Sequence, residues 1–105
     1  MSADPSRVSV LVFATAPDGP DAVVEAYHRI SQALTGTPGL LRNTLLELID
    51  GPDRFVVLSE WVSLEAFRTW ERGAEHRQVT APLRPYQDRS PAGGFGVYQV
   101  AAEYR

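Results

Sequence analysis

The chain has no cysteine, so it cannot form a disulfide, a thiolate nucleophile or a thiolate metal site. It also has no lysine: all ten basic side chains are arginine, which removes lysine Schiff-base chemistry. A formal net charge of −3, with acids and bases interspersed, lacks the basic footprint of a nucleic-acid binder. No apolar run approaches membrane-spanning length, and Met1-Ser2-Ala3-Asp4-Pro5-Ser6 carries no apolar signal core. The expectation is a cytoplasmic protein with no membrane partner. Catalytic signatures are equally scarce. There is no Gly-x-Gly-x-x-Gly after a strand, no phosphate-cradling loop, no zinc-protease helix and no nucleophilic triad. Gly93-Gly94-Phe95-Gly96 lacks nucleotide spacing and reads as a hinge into a strand.

What is present is one ordinary small domain: 105 residues, 44% hydrophobic and 22% charged. Residues 1–6 read as a flexible leader and residues 7–105 as a single domain. The segment from Phe55 to Trp70 organises the chain. Phe55 to Leu58 is an apolar run suited to a buried strand, and Trp61 closes it. Ser63 offers its hydroxyl to the first amides of a helix, and Leu64, Phe67 and Trp70 make one inward stripe. Both tryptophans therefore meet at one strand–helix junction.

The remaining elements follow in order. Arg7 to Thr15 is a first strand, and Pro20 opens a helix over about Asp21 to Leu34. Val23, Tyr27, Ile30 and Leu34 mark its buried stripe, with Ala26 and Ala33 beside it. Gly36-Thr37-Pro38-Gly39 stops it. Leu40 to Ile49 is a second strand, joined to the third through Asp50-Gly51-Pro52-Asp53 as a hairpin. After Gly73 comes a short helical piece, Ala74 to Ala81. Leu83 to Gly94 is a breaker-rich surface loop or lid, and Phe95 to Tyr104 is the last strand. The order β-α-β-β-α-β is the ferredoxin-like split βαβ pattern: an α+β fold with a four-stranded antiparallel sheet and helices on one face.

Alternation adds a second inference. Val8, Val10 and Val12 oppose Leu11 and Phe13; Leu41, Leu45 and Ile49 oppose Leu40, Leu46 and Leu48; Phe95, Val97 and Ala101 oppose Tyr98, Val100 and Tyr104. Both faces of the sheet are apolar, yet the helices cover only one. The economical cover for the other is the sheet of a second copy, giving a homodimer.

His76 is the candidate ionisable group. With Val79, Thr80 and Leu83 it falls on one face of the short helix, so an imidazole and a hydroxyl share an apolar side. A hydrogen-bonded structural histidine fits that position as well. Trp61 and Trp70 are core residues or ring-positioning residues. Arg42, Asn43, Ser59, Glu60 and Gln99 are polar positions on otherwise apolar strands. Arg42 and Asn43 have opposite parity, so only one faces the pocket. Tyr27, His28, Arg84 and Tyr86 fit either the rim of an opening or, as the more ordinary reading, a solvated surface.

Pro38-Gly39-Leu40-Leu41, the run from Arg54 through Trp61 to Phe67, and Glu75-His76 together resemble the antibiotic biosynthesis monooxygenase family, from about Arg7 to Tyr104. The resemblance implies a dimeric α+β barrel with one pocket per protomer. It also implies oxidation of an anthrone- or naphthol-like aromatic by O2, without metal, flavin or haem, in antibiotic or secondary-metabolite biosynthesis. In that reading His76 is the base or hydrogen-bond partner, Trp61 positions the ring, and Asn43 or Arg42 stabilises the anion. Trp70, Thr80, Tyr27, Phe67 and Tyr86 complete the substrate contacts. Quinone-forming members place an asparagine four residues before the strand tryptophan, where this chain has Val57. The haem-degrading branch's asparagine and histidine align with Val12 and Thr80, which disfavours haem degradation. The competing expectations are a non-catalytic small-molecule-binding dimer and a non-oxidative cyclase or isomerase.

Overall fold

A computed structural model describes residues 7–88 and 94–104. The elements run β1 (Val8–Thr15), α1 (Pro20–Leu34), β2 (Leu40–Leu48), β3 (Gly51–Trp61), α2 (Leu64–Glu71), α3 (His76–Thr80), a 3-10 turn (Arg84–Tyr86) and β4 (Phe95–Gln99). The four strands form one antiparallel sheet in the order β2-β3-β1-β4, with the helices on one face. This is the ferredoxin-like architecture expected from the element order. Among the described residues no helix is long and apolar enough to cross a membrane.

Local chemistry accounts for the element ends. Pro20 sits in the first turn of α1, where its missing N–H costs nothing. Ser63 caps α2 by accepting from the Ala66 amide at 3.1 Å. Gly39, between α1 and β2, has φ 84°. A Cβ there would lie 2.5 Å from the Ala66 Cβ, so only glycine lets α2 close onto the sheet.

Register fixes the faces, because directly paired residues share one. Val8, Val10 and Val12 of β1 pair with Trp61, Ser59 and Val57 of β3, and with Gln99, Val97 and Phe95 of β4. That is the helix-covered face. Two clusters fill it. One gathers Ala14, Val23, Ala26, Ile30, Leu34, Phe55 and Leu83 under α1. The other holds Val8, Val10, Trp61 and Phe67 under α2. Trp70 and Leu40 pack against both. The opposite face carries Leu11, Phe13, Leu46, Val56, Leu58 and Tyr98. Leu46, Leu48 and Tyr98 are about half exposed, at 46%, 51% and 54%.

Several sequence expectations are corrected. Leu64 is 46% exposed, so of the expected α2 stripe only Phe67 and Trp70 face inward. Ala33 is exposed and Tyr27 only half-buried, leaving Val23, Ala26, Ile30 and Leu34 as the α1 stripe. β2 ends at Leu48, because Leu48 pairs with Gly51 and Ile49-Asp50 make the turn. A bulge between Leu40 and Arg42 puts Leu40 and Leu45 on the same face, against simple alternation. α3 is shorter than expected, and β4 stops at Gln99, so residues 101–104 are exposed and outside the sheet. Part of the expected loop is ordered against the body. Leu83 is buried, and the Asp88 amide donates to the Phe13 carbonyl at 2.7 Å. The leader and residues 89–93 of that loop lie outside the described residues.

Candidate active site

Between the covered face and the helices lies a cavity of about 330 Å³, within the size range of small-molecule sites. Its floor is sheet: Val10 and Val12 of β1, Asn43 of β2, and Val57, Ser59 and Trp61 of β3. α1 supplies Tyr27, Ile30 and Leu34, and α2 supplies Phe67, Trp70 and Glu71. α3 and the turn after it supply His76, Arg77, Thr80, Leu83 and Arg84.

One wall is aromatic. Trp61 is 1% exposed and has Phe67 edge-on at 5.5 Å between ring centroids and Trp70 tilted at 5.4 Å. Phe67 continues to Phe95 at 6.5 Å. The Trp61 indole N–H donates to Ser59 Oγ at 3.0 Å, which satisfies the one polar group that burial would orphan.

His76 stands edge-on to Trp70, 4.5 Å between ring centroids. Burial lowers its pKa below the ordinary value of 6.5. Glu71 opposes that shift, while the Arg84 and Arg77 guanidiniums add to it by repelling a further positive charge. The imidazole is therefore neutral at neutral pH and able to accept a proton. Thr80 lies on the same wall, but its hydroxyl donates to the His76 carbonyl at 2.9 Å and accepts from Arg84 Nη2 at 2.9 Å. It fixes Arg84 and shapes the wall.

The structure settles the Arg42–Asn43 alternative. Asn43 faces the cavity. Arg42 is on the uncovered face, 3.6 Å from Glu60. Asn43 is tied to α1: its Nδ2 donates to Ser31 Oγ at 2.8 Å, and the Tyr27 hydroxyl donates to its backbone carbonyl at 2.9 Å. Of the other expected site residues, Tyr27, Phe67, Trp70 and Thr80 line the cavity. Tyr86 does not: it lines a separate surface depression with Arg29 and Pro82. His28 is exposed and meets Tyr27 edge-on. Sequence reasoning gave no role to Ser59 and did not single out Glu71, Arg77 or Gln87, all of which line the cavity. The signal for Ser59 was its place on an apolar strand, two residues from Trp61. The rest sit beside Trp70 and His76 or in the loop, where no periodicity marks them.

The fold, the aromatic wall and the neutral histidine define a class. Residues 7–81 match the family model described as antibiotic biosynthesis monooxygenase, and the chain belongs to that family. Protein SchA of Streptomyces halstedii is 32% identical over 103 residues, which is 97% of this chain and 27% of that protein. A 42.8 kDa protein in the whiE locus of Streptomyces coelicolor is 31% identical over 81 residues, 76% of this chain and 20% of that protein. The chain thus spans about a quarter of the length of these curated relatives. The mycobilin-producing heme oxygenase of Mycobacterium tuberculosis is 36% identical over 55 residues, about half of each chain. Among solved structures, SnoaB, a cofactor-independent oxygenase from Streptomyces nogalater, superposes with TM-score 0.75 at 20% identity. It covers 90% of this chain and 93% of its own. That likeness establishes the fold.

Proposed function

We propose that the chain is a cofactor-independent monooxygenase that oxidises a flat, electron-rich aromatic of polyketide type, an anthrone or naphthol, in antibiotic or secondary-metabolite biosynthesis. The observation that carries this reading is a neutral imidazole set against an aromatic wall in a cavity of small-molecule size. The cofactor-independent activity printed for the structural neighbour SnoaB and the family membership support it.

The chemistry balances with these parts. His76 takes one proton from the anthrone methylene, and the resulting carbanion delocalises onto the ketone oxygen. One electron passes to O2, and the substrate radical and superoxide combine as a peroxide. Loss of the second C–H proton with O–O cleavage leaves a new carbonyl and releases water. One O2 is consumed, one oxygen atom enters the quinone and the other leaves as water. The protein holds the ring, removes the first proton and stabilises the anion.

Val57 sits on the cavity floor where quinone-forming members carry an asparagine, which favours a second reading: a ligand-binding or non-oxidative member. Oxygen consumption by metal-stripped protein with dithranol separates the two. Uptake above the uncatalysed rate, with quinone formed, supports the oxygenase. Saturable tryptophan quenching without uptake replaces it with the second reading.

The uncovered sheet face is part of the same proposal. Leu11, Phe13, Leu46, Val56, Leu58 and Tyr98 form an apolar surface suited to the identical surface of a second copy in an isologous dimer.

A further inference from the structure

On the cavity floor, Ser59 and Asn43 are directly paired across β3 and β2. Trp61 aside, they are the only polar side chains among the described residues that the strands contribute to the lining. Such pairs hold their Cβ atoms roughly 4.5–5.5 Å apart. Their hydrogen bonds leave complementary groups over. Ser59 Oγ accepts from Trp61 Nε1 at 3.0 Å, a bond that does not use the hydroxyl proton, and that proton meets no acceptor among the described residues. Asn43 is the reverse case. Ser31 gives its one proton to the Tyr27 carbonyl at 2.7 Å, so toward Asn43 its oxygen can only accept. That fixes the amide with Nδ2 toward α1 and Oδ1 away from it. Oδ1 is buried and has no donor among the described residues. The neighbouring Tyr27 hydroxyl is committed to Asn43's backbone carbonyl.

We propose that Ser59 and Asn43 together recognise a ketone and the hydroxyl beside it on the substrate ring. Ser59 donates to the carbonyl oxygen, and Asn43 Oδ1 accepts from the hydroxyl through a small turn of the side chain. This rests on the oxygenase reading of the same cavity and narrows its substrate class to hydroxyaryl ketones with ortho or peri oxygens. It also changes the part Asn43 plays: the amide nitrogen is held by Ser31, so the donor to the developing anion is Ser59. When His76 removes the ring proton, negative charge gathers on the ketone oxygen. The Ser59 hydroxyl then meets an oxyanion, and the Trp61 N–H behind it polarises that hydroxyl further. Trp61 acts through Ser59 and is a positioning residue.

The test compares dithranol, whose hydroxyls flank its ketone, with anthrone, which has the ketone alone. Calorimetry on the wild-type protein is expected to give about tenfold tighter binding of dithranol, the worth of one well-placed hydrogen bond. Asn43→Leu is expected to bring that ratio toward one. Ser59→Ala is expected to slow oxygen uptake with dithranol by about 100-fold, with Ser59→Thr recovering most of the rate. A ratio of one in the wild type, or a ratio that survives Asn43→Leu, overturns the pair. Uptake in Ser59→Ala close to the wild-type rate overturns the donor half. If Asn43→Leu does not fold, the wild-type ratio and the Ser59 variants still decide. Absence of uptake with the ratio intact removes the oxygenase reading and keeps the pair as a recognition device. Uptake with a ratio of one does the opposite.

Discussion

Burial strips water from the His76 ring and disfavours its charged form; Glu71 works against this, and Arg84 and Arg77 work with it. In the proposed oxygenase, the net depression places protonation of the His76 base below pH 6.5, on the acidic side of the ordinary value. The rate of dithranol oxidation should therefore be level near neutrality and fall below that point. His76→Gln should lower the rate by about 100-fold or more and erase the acidic limb. A His76→Gln enzyme that keeps both rate and limb would reduce the residue to a structural one. The same depression means that the unfolded chain binds the proton more readily than the folded one. Stability should rise with pH through that interval, and urea midpoints measured at two pH values can check the sign. At this scale the sequence was partly legible. His76 and Thr80 were placed correctly by helical spacing, as were Trp61 and Trp70 by the strand–helix junction. What the Thr80 hydroxyl and the Asn43 amide bond to was not legible, because Arg84 and Ser31 reach them from other parts of the chain.

Two short devices hold α2 in place against Trp61 and the sheet. The Ser63 hydroxyl occupies an otherwise unpaired amide, and Ser63→Ala should cost about 1 kcal/mol in denaturant unfolding. Gly39 meets α2 at closer range. Gly39→Ala combines an unfavourable positive φ with a collision against Ala66, and a loss of about 1–3 kcal/mol or more is expected from the same measurement. A much smaller loss would mean that α2 can back away from the sheet. That would also loosen Phe67 and Trp70, so ligand binding should weaken in parallel. Element order and the helix starts were readable because prolines, glycines and a capping serine punctuate the chain. The ends of β2 and β4 were not. An apolar sequence continues past the last paired residue in both, and pairing is decided by neighbouring strands rather than by local preference.

Taken whole, the sheet is a partition with the cavity on one side and an apolar surface on the other. The two-sided apolar pattern was visible in the sequence before any contact was known. Charge placed on the uncovered side should separate copies without entering the cavity. Leu58→Arg, on the opposite face from Val57 and Ser59, is expected to shift the sedimentation of a dimer to that of a monomer. A wild-type protein that already sediments as a monomer at micromolar concentration would remove the dimer.

The bulge after Leu40 supplies one residue of slack in β2. Had pairing continued without it from Leu40 against Trp61, Arg42 rather than Asn43 would hang opposite Ser59. The cavity floor would then hold a permanent cation, and an anionic guest would be favoured over an uncharged hydroxyl. A single looped-out leucine thus sets the polarity of the chamber, and with it the kind of molecule that can be at home there.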